Sequence, residues 1–569
     1  MCASENPNTN RTKRQSPVDW QAIDWLAVNR NVRNLRRRIF RATQEGDWDK
    51  VQSLQRLMLR CTSNVAQSVR RVTQVNHGKN TPGIDKVLVK TPAERSALVN
   101  YIATHCTPWR ARPVKRVYIP KANGKLRPLG IPVILDRALQ AIVKNALEPA
   151  WEAKFEGISY GFRPGRSAQD AIEHIWKIAA RKQKLWILDA DISGCFDNIN
   201  QDHLLETIGT FPARELIRQW LKAGYVEYGK LHETHTGTPQ GGVISPLLAN
   251  ISLHGMESAL NIRYKKSGTE RVGKCAAIRY ADNFVVMCDT EEVAKQAQER
   301  LTEWLTVRGL QLSQDKTQIV HLTKGFDFLG FNVRLYPSRK TKSGWKALIK
   351  PSKKSVLKIR KKLRDEWKSL VGNNVAAVIK RLNPITRGWA NYFRTQVSSM
   401  VFQDLDDFMF NRETRYIRHM HPNKPRYWTV NKYLGKLNPY RKDFWVFGDK
   451  ETGSYLYKFQ WTGIRRHTMV IGTNSLDDPN LQEYWEKREL PKIHDLRPKA
   501  QILAKRQGGK CPVCGESLFI EENIEQHHIM PRVVGGPDTE DNKIIVHLYC
   551  HQKLTSEQRK MGLLRTTIL

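Results

Sequence analysis

Two carboxylates in the central third of the chain, each at the end of a strand-like run, are candidate ligands of a metal ion. Asp191 closes a strand-like apolar run, and about ninety residues later two further apolar runs flank Asp282 and Asn283, which predicts a hairpin with a carboxylate at its tip. Acidic side chains on neighbouring strand ends can hold Mg²⁺, because this ion takes one or two carboxylates together with substrate phosphates. Two such ions activate an attacking 3′-hydroxyl and stabilise a leaving pyrophosphate. An isolated turn Asp is more often structural, so the prediction depends on the pair.

A second set of metal-ligand residues is gathered in the last 59 residues. Within 41 residues, a Cys-x-x-Cys pair is followed by a glutamate, two adjacent histidines, an asparagine and a His-x-x-Cys-His run. A lone Cys-x-x-Cys is weak evidence, but soft and borderline ligands packed this tightly have few uses other than metal binding. Nine cysteines in all are too few for a disulfide scaffold, which favours a metal site in a reducing compartment. The residues are Cys511, Cys514, Glu525, His527, His528, Asn542, His547, Cys550 and His551.

The overall charge indicates a polyanionic partner. The 569 residues carry 94 Lys and Arg against 55 Asp and Glu, a formal charge of +39. Such an excess favours nucleic acid or an anionic membrane surface as the partner. No apolar run reaches the roughly 18 residues of a membrane span, and the first fifteen residues lack the apolar segment of a secretion signal.

The positive charge is unevenly distributed. Residues 331–440 contain 25 Lys and Arg against 6 Asp and Glu, whereas residues 511–569 contain 6 against 8. Nucleic-acid affinity is therefore expected mainly in the front and middle of the chain, with the tail acting on what the rest holds. A shorter basic run lies on a predicted amphipathic helix, for which RNA contact is favoured over a solvated face. Its arginines are Arg30, Arg33, Arg36, Arg37, Arg38 and Arg41.

The apolar patterns predict a mixed α+β chain of several domains, in which short strands place both carboxylates. In chain order the pattern predicts a helix at 136–155, strands at 184–192, 276–280 and 284–288, and helices at 291–309 and 352–370. The last of these helices carries Lys and Arg on most of its outer face, as expected for a surface that holds structured RNA. Aromatic residues near it are Trp367, Trp389, Tyr392 and Phe393, of which Trp389 and Phe393 are expected in the core.

The motifs around the two carboxylates resemble the reverse-transcriptase blocks of group II intron-encoded proteins, and they occur in the family's order. These motifs are RPVKRVYIPKANGKLRPLGIPVILDRALQ, SYGFRPGRSAQDAI, ADISGCFDNI, GTPQGGVISPLLANI, YADN, GLQLSQDKTQIV and FDFLGFNV. LNPITRGWANYF resembles the maturase, or X, domain of that family. The resemblance covers nearly the whole chain and implies a right-hand polymerase with fingers, an RRM-like palm and a helical thumb.

The resemblance also implies five domains. Residues 1–75 would be an RNA-binding N-terminal extension, and residues 76–335 the fingers and palm. Residues 336–424 would be the thumb and X domain, residues 425–495 a DNA-binding domain, and residues 496–569 a nuclease domain.

Individual roles in the polymerase follow from the same resemblance. Asp191 and Asp282 would be the catalytic Mg²⁺ ligands, and Phe196 the steric gate that packs under the sugar and rejects a 2′-hydroxyl. Arginine suits a triphosphate clamp because its guanidinium offers bidentate donors. The residues implied to contact the incoming dNTP, or the primer, are Lys121, Arg127, Gln240 and Lys316.

One residue departs from the family pattern. The hairpin tip of the family is Tyr-Ala-Asp-Asp, whereas this chain has Asn283 in the last place. An amide can coordinate or donate a hydrogen bond but brings no charge. Polymerisation is therefore expected to fall if the second carboxylate serves the metal, and to survive if it only tunes the hairpin.

The cysteine and histidine cluster resembles the HNH, or ββα-metal, nuclease. Carried onto this chain, His528 would be the general base, Asn542 would orient the site, and His527, with a contribution from Glu525, would help to hold a divalent ion. His551 would ligate that same ion. Structural Zn²⁺ would be held by Cys511, Cys514, His547 and Cys550. Spacing alone leaves the assignments of His547 and His551 interchangeable.

The predicted function is that of a group II intron-encoded protein. Such a protein binds its intron RNA, assists splicing, nicks double-stranded target DNA and extends the nicked end with dNTPs on the RNA template, with Mg²⁺ and Zn²⁺ as cofactors and no membrane partner. We expect it in the bacterial cytoplasm or nucleoid. One alternative is a maturase whose polymerase is weakened or lost through Asn283. Another is a free-standing reverse transcriptase with a defence role, against which the X-domain block and the nuclease tail both argue.

Overall fold

The structure, a computed structural model, describes residues 18–105, 109–120, 124, 126–264, 271–519 and 523–564. Its chain divides into two compact units, each assembled from separate stretches of sequence. The first unit comprises residues 1–154, 194–252 and 475–569, and the second comprises residues 155–193 and 253–474. Within the described part of the chain, no helix combines the length and the apolar character needed to cross a membrane.

The α-helices are numbered in chain order. They are α1 (Trp25–Glu45), α2 (Trp48–Arg60), α3 (Thr62–Arg70), α4 (Pro92–His105), α5 (Ile134–Glu152), α6 (Ala168–Arg181), α7 (Cys195–Asn198), α8 (Gln201–Ile208), α9 (Arg214–Lys222), α10 (Ser245–Ser252), α11 (Met256–Ala259), α12 (Glu291–Thr306), α13 (Lys353–Ser369), α14 (Val375–Phe393), α15 (Ser399–Met420), α16 (Arg426–Tyr433), α17 (Gln482–Glu489), α18 (Pro498–Arg506) and α19 (Leu548–Lys560).

The β-strands are numbered in the same way. They are β1 (Val114–Pro120), β2 (Leu126–Ile131), β3 (Trp186–Asp191), β4 (Tyr225–Glu227), β5 (Lys230–His232), β6 (Arg263–Tyr264), β7 (Arg271–Val272), β8 (Cys275–Tyr280), β9 (Asn283–Cys288), β10 (Gln318–His321), β11 (Phe326–Phe328), β12 (Phe331–Pro337), β13 (Trp345–Pro351), β14 (Leu434–Gly435), β15 (Val446–Asp449), β16 (Ser454–Tyr455), β17 (Ile524–His528) and β18 (Lys543–His547).

The amphipathic helix predicted near the start of the chain is confirmed as α1. Asp24 caps its first turn by accepting hydrogen bonds from the backbone N–H groups of Leu26 and Ala27. Apolar residues spaced three or four apart are buried on one face, which explains why this segment is helical and which side packs inward. The helix ends at Glu45 and is capped by Gly46, whose φ of +73° suits glycine.

The predicted strands around the carboxylates are confirmed as β3, β8 and β9, each within one or two residues at either end. The helix predicted at 291–309 is confirmed as α12, but it ends three residues early, at Thr306. The reason is a tight reversal in which the Leu310 N–H donates to the Leu305 carbonyl and Gly309 adopts a φ of +72°. The helix predicted at 136–155 is likewise confirmed as α5, ending at Glu152.

The central sheet of the second unit is antiparallel with strand order β10-β3-β9-β8. Numbered by appearance, its strands run 4-1-3-2, and helices follow the first and third of them, as in the ferredoxin-like motif. Apolar residues of α6 and of β8 and β9 meet in one core, among them Ile172, Ile175, Ile278, Val285 and Met287. This core fixes the strand ends at which Asp191 and Asp282 lie.

The helical part of the second unit is built around aromatic residues. Phe393 is buried, and Trp389 packs against it with ring centroids 4.3 Å apart, which confirms the expectation that both belong to the core. Trp367 is also buried and contacts Tyr416. The rings therefore hold the helices together, and most of the Lys and Arg side chains of α13 are left to face solvent.

The first unit contains the four-stranded sheet β2-β1-β4-β5 and the two-stranded sheet β17-β18. Strands β17 and β18 pair antiparallel, and α19 follows β18 directly, which gives a ββα arrangement. The small core of this module includes Leu518, Val546 and Tyr549, and Trp25 and Leu26 of α1 pack against it.

Candidate active sites

The structure brings the two predicted carboxylates together at one end of the central sheet. Strands β3 and β9 place Asp191 directly opposite Asn283, while Ala281 and Asp282 form the two-residue tip of the β8–β9 hairpin. The Ile192 N–H donates to the Asp282 carbonyl at 3.3 Å, which links the end of β3 to the hairpin tip. Two acidic side chains on adjoining strand ends match the arrangement in which carboxylates share a divalent ion.

Lys316 lies at the same site. Its ammonium group makes an ion pair with the Asp191 carboxylate, and the Ser313 N–H donates to the Asp191 carbonyl at 2.8 Å. The turn before β10 therefore presents a cation to the metal-ligand candidate itself. Because the ammonium side chain is largely exposed, this ion pair can open when a cation or a phosphate competes for its members.

Asn283 contacts the neighbouring carboxylate. Its Nδ2 donates a hydrogen bond to Asp282 Oδ1 at 3.1 Å, and its backbone pairs with Asp191 across the sheet. An aspartate in this place would bring a third negative charge to the strand ends, whereas the amide brings a donor that orients Asp282.

Asp189 is a further carboxylate on the same face of β3, because side chains two apart on a strand share a face. Burial, with Asp327 and Asp191 nearby, raises the pKa of Asp189 to about 6, and Gln318 Nε2 donates to its Oδ2 at 3.2 Å. Sequence reasoning missed this residue, although the Asp-Ala-Asp spacing was a visible signal.

A second feature missed by sequence reasoning is the support under the hairpin tip. Arg279 is fully buried, and it donates to the Ala281 carbonyl at 3.3 Å and to Ser159 Oγ at 2.8 Å. Gly161 packs so closely that a Cβ atom there would lie 2.4 Å from the Ala281 nitrogen. The SYGF segment thus buttresses the turn that carries Asp282.

Replacing Gly161 with Ala is expected to lower the rate of primer extension by roughly tenfold to a hundredfold, because the added methyl displaces the hairpin and misplaced groups lose catalysis steeply. Steady-state primer extension measures the loss. Gly463→Ala is the matched control, since a Cβ at Gly463 meets no atom within 4 Å. Equal activity in both variants would show that the close packing is irrelevant to polymerisation.

The first unit contains a cleft of about 430 Å³. Arg116 places its guanidinium 3.9 Å from the centre of the Tyr225 ring, which keeps a cation in the cleft wall. Arg116 was not predicted; the only signal was its place in the basic, strand-forming VKRVY run. The predicted residues Phe196 and Gln240 line the cleft together with Arg116, Tyr118, Pro128 and Thr238.

Close backbone contacts shape the TPQGG loop of this cleft. The Thr238 N–H donates to the Phe196 carbonyl at 2.6 Å, and the Gly130 N–H donates to the Gln240 carbonyl at 2.7 Å. A Cβ at Gly241 would lie 2.5 Å from the Gly130 carbonyl oxygen, so the loop needs glycine there. The loop is therefore fixed to both α7 and β2.

One of the two predicted triphosphate-clamp residues lies on β2. Arg127 is exposed on β2, where its backbone pairs with Ile119, next to Pro128 of the cleft wall. Lys121 lies outside the described residues.

Four predicted metal ligands converge in the C-terminal module. One donor atom from each of Cys511, Cys514, His547 and Cys550 lies within 4.8 Å of the others. His547 Nδ1 is 3.3 Å from Cys514 Sγ, and its other ring nitrogen is 2.9 Å from the Ser517 carbonyl, which fixes the imidazole as second partners of metal ligands do. A Cys₃His set of this compactness fits a structural metal site of the zinc type. The geometry joins His547, rather than His551, to the cysteines.

The predicted general base lies at the end of β17. His528 Nε2 is 3.0 Å from Asp538 Oδ1, and Lys543 Nζ is 2.6 Å from the same oxygen. Lys543, followed by His528, holds the pKa of Asp538 well below its usual range, so this carboxylate stays ionised. Asp538 orients His528 and was missed by sequence reasoning because it lies in a polar loop ten residues away.

His527 of β17 and His551 of α19 form a pair of neighbouring histidines. His551 Nδ1 is 3.0 Å from Glu525 Oε2, and the rings of His527 and His551 lie 5.1 Å apart. Burial, with His551 and His528 nearby, lowers the pKa of His527 to about 4, so its imidazole is neutral at physiological pH and able to ligate a metal. The Gln558 amide lies 3.0 Å from His527 Nε2. These residues form one acidic and imidazole-rich corner.

Asn542 fixes the loop between the two strands. Its side-chain oxygen accepts from the Met530 N–H at 2.8 Å, and its Nδ2 donates to the Met530 and Pro537 carbonyls, each at 2.9 Å. With three hydrogen bonds to backbone groups, Asn542 holds the loop that follows His528.

Two arginines of the basic run of α1 form ion pairs within the first unit. Arg33 pairs with Glu516 at 2.5 Å, and Arg36 pairs with Asp477 at 2.7 Å and with Glu148 at 3.1 Å. The predicted RNA-binding face is therefore narrower than the sequence suggested, because these partners lie more than a hundred positions away in sequence. The arginines of the run that remain exposed are Arg30, Arg38 and Arg41.

Known protein families match most of the chain. The N-terminal domain of reverse transcriptase matches residues 20–102, and reverse transcriptase (RNA-dependent DNA polymerase) matches residues 119–333. The maturase-specific domain of group II introns matches residues 356–434, and HNH endonuclease matches residues 511–557.

Similar proteins span bacteria and eukaryotes. Protein YkfC of Escherichia coli K12 is 35% identical, over 46% of this chain and 77% of that protein. Group II intron-encoded protein LtrA of Lactococcus lactis subsp. cremoris is 31% identical, over 39% of this chain and about half (47%) of its own length. Maturase-like protein 1 of Euglena gracilis is 26% identical, over 66% of this chain and 77% of that protein. Telomerase from Candida albicans is only distantly alike, at 14% identity and a TM-score of 0.32 over 70% of this chain and 64% of that chain.

The paired carboxylates and the ββα module with its histidines define a reverse transcriptase joined to an endonuclease. The maturase-specific domain and the similarity to LtrA place it further: the chain belongs to the group II intron-encoded reverse transcriptases and maturases, with an HNH endonuclease domain at its end.

Proposed function

We propose that this protein binds its intron RNA, assists splicing, and returns the intron to DNA by nicking one strand and extending the nicked end on the RNA. The observation that carries the proposal is the presence, in one chain, of a carboxylate pair on adjoining strand ends, a maturase-specific domain and a ββα module with paired histidines. A polymerase alone needs neither of the last two.

In the proposed polymerase reaction, Asp191 and Asp282 hold the divalent ions, which supply charge stabilisation at the attacking and leaving oxygens when bound. Lys316 exchanges its ion pair with Asp191 for a primer or nucleotide phosphate. Asn283 keeps the Asp282 carboxylate turned toward the site. The strand order 4-1-3-2 supports an RRM-like palm for the sheet that carries these residues.

The cleft in the first unit is proposed to take the incoming dNTP. Phe196 limits the space beneath the sugar, and Gln240 contacts the nucleotide from a loop whose backbone is fixed at both ends. Arg116 supplies a positive charge in the cleft wall, and Arg127 and Lys121 are proposed to clamp the triphosphate. These regions would serve as fingers, and α13–α15 as the thumb.

Asn283 favours one second candidate, a maturase with a weakened polymerase. We expect Asn283→Asp to change the rate of primer extension by less than about threefold, because both metal-ligand carboxylates are already in place and the amide already orients Asp282. The measurement is primer extension on an intron RNA template at saturating dNTP. A rise of tenfold or more would instead favour the second candidate.

In the proposed nuclease reaction, His528 takes the proton of the attacking water while Asp538 holds its imidazole in place. His527, His551 and Glu525 form the corner that holds a divalent ion, whose charge favours departure of the 3′ oxygen when it is bound. Cys511, Cys514, His547 and Cys550 are proposed to hold Zn²⁺ as a structural staple.

RNA is proposed to be held by the exposed Lys and Arg of α13 and by the exposed arginines of α1. The segment 425–495 is proposed to contact DNA, since Tyr427, Phe444 and Trp445 are exposed there among basic residues. Target choice would then rest largely on the RNA that the protein carries.

His528→Ala is expected to reduce the rate of DNA nicking by at least about a hundredfold and to leave intron RNA binding and primer extension unchanged. A nicking assay on supercoiled or duplex target DNA, with RNA affinity measured in parallel, tests this. His494→Ala is the matched control, an exposed histidine of the same unit outside the module's histidine corner. Loss of RNA binding together with nicking would show that the tail is a structural element.

A further inference from the structure

The nuclease module has little charge with which to hold DNA. Residues 496–569, the predicted nuclease domain, contain 11 Lys and Arg against 8 Asp and Glu, a net charge of +3 in a chain whose formal charge is +39. Proteins grip duplex DNA largely by neutralising phosphates, and that affinity grows with the number of Lys and Arg contacts. Contacts of another kind are therefore needed to fix the scissile phosphate at His528.

A surface of that other kind lies directly after the proposed general base. The apolar loop, residues 529–534, begins at the residue that follows His528 and exposes four apolar side chains within six positions. Their exposed fractions are 55% for Ile529, 48% for Met530, 73% for Val533 and 38% for Val534. Exposed apolar side chains that cluster in this way are typical of a binding surface, whereas single scattered ones are normal on any protein surface.

The loop is rigid although its side chains are exposed. Asn542 bonds both the N–H and the carbonyl of Met530, and the Ile529 N–H donates to the Asn542 carbonyl at 2.9 Å. Gly536 closes the loop so tightly that a Cβ there would lie 2.0 Å from the Met530 carbonyl oxygen. A preorganised loop loses little conformational entropy when it binds, so it can use its apolar contacts fully.

We propose that this apolar loop inserts Met530 and Val533 as a wedge between base pairs of the target duplex beside the phosphate to be cut. Apolar wedges from rigid protein elements unstack base steps and bend DNA, and they do so without base-specific contacts. Arg532, exposed within the loop, supplies a phosphate contact beside the wedge. The inference rests on the proposed nicking activity and names how the DNA is presented to it.

Insertion of a wedge predicts a difference between paired and mismatched DNA that a general loss of DNA affinity does not predict. Unstacking a step costs less when its bases are already unpaired. Serine substitutions at Met530 and Val533 should therefore slow nicking of a fully paired duplex by about tenfold, and should slow nicking of the same duplex with a two-base mismatch at the cut site by no more than about twofold.

The experiment uses the full chain with its intron RNA and compares Met530→Ser, Val533→Ser and the double variant on both substrates. Met561→Ser is the matched control, because Met561 is 71% exposed at the end of the same module but lies outside the loop. Retained metal content and primer extension establish that each variant is folded. Equal loss on paired and mismatched DNA would overturn the wedge and point to a protein contact for the loop, and no loss on either substrate would overturn it as well.

A second readout separates this inference from the nuclease proposal. A 2-aminopurine placed beside the cut site brightens when it is unstacked, and the inference requires brightening with wild-type protein and with His528→Ala, but not with the double serine variant. If His528→Ala still nicks DNA while brightening persists, the base assignment fails and the wedge stands. If brightening is absent with wild type, the wedge is wrong whatever the nicking rate.

Discussion

Replacing Asp191 with Asn is expected to reduce primer extension by about a thousandfold. The carboxylate ends β3 opposite Asn283 and adjoins the hairpin tip that carries Asp282, so its loss removes half of the charge that would hold the divalent ions. A thousandfold effect corresponds to about 4 kcal/mol of transition-state stabilisation, which is typical for a metal-ligand carboxylate. Single-turnover primer extension at several Mg²⁺ concentrations measures it.

Asp289→Asn is the matched control for this experiment. Asp289 follows the other end of β9, where it pairs with Lys184 in a partly exposed ion pair, so its replacement changes charge at the same sheet without touching the proposed site. We expect near wild-type polymerisation for the control and unchanged DNA nicking for both variants. An Asp191→Asn protein that keeps a tenth or more of its polymerase activity would remove Asp191 from the proposed catalytic machinery.

Replacing Cys550 with Ala is expected to unfold the nuclease module and to abolish nicking. The module has a small core around Leu518, Val546 and Tyr549, and a module of this size needs a metal to stay folded. Structural zinc sites contribute on the order of 10 kcal/mol to folding, so loss of one buried thiolate ligand removes most of the stability of the module.

Three measurements check this second prediction: metal content, nicking, and proteolytic sensitivity of residues 496–569. Treatment of the wild-type protein with a strong chelator, followed by restoration of Mg²⁺ alone before the assays, should reproduce the effect. Cys61→Ala is the control, since Cys61 is a free cysteine at the start of α3 that makes no side-chain cap bond. Primer extension should persist in every case, and a Cys550→Ala protein that retains metal and still nicks DNA would contradict the structural role.

The features that sequence reasoning captured are those with a local signature. Alternating and continuous apolar runs predicted β3, β8 and β9, and two-residue hairpin geometry then required Asp282 to lie at a tip. The density of cysteines and histidines predicted a metal cluster near the end of the chain, because these residue types have few other uses at that density, but spacing left His547 and His551 interchangeable until the structure joined His547 to the cysteines. The pairing of β3 with β9 then places Asp191 opposite Asn283, next to the hairpin tip.

Several features that sequence reasoning missed depend on tertiary contacts that no local pattern reveals. Arg36 pairs with Asp477, more than four hundred positions on, and no local pattern in α1 distinguishes it from the exposed Arg38. Arg279 reads as one more basic residue until it is seen to be fully buried beneath the hairpin. Asp538 acquires its role only when the loop after His528 folds back on that residue.

The measurement that tests the central claim most directly is target-primed synthesis by the protein with its intron RNA on intact duplex DNA, followed on a gel as cDNA covalently joined to the nicked strand. The account predicts joined cDNA with wild-type protein, a nick without extension for Asp191→Asn, and no product for His528→Ala unless the duplex is supplied already nicked. Joined cDNA from His528→Ala on intact duplex, or its absence on a pre-nicked duplex, would contradict the account.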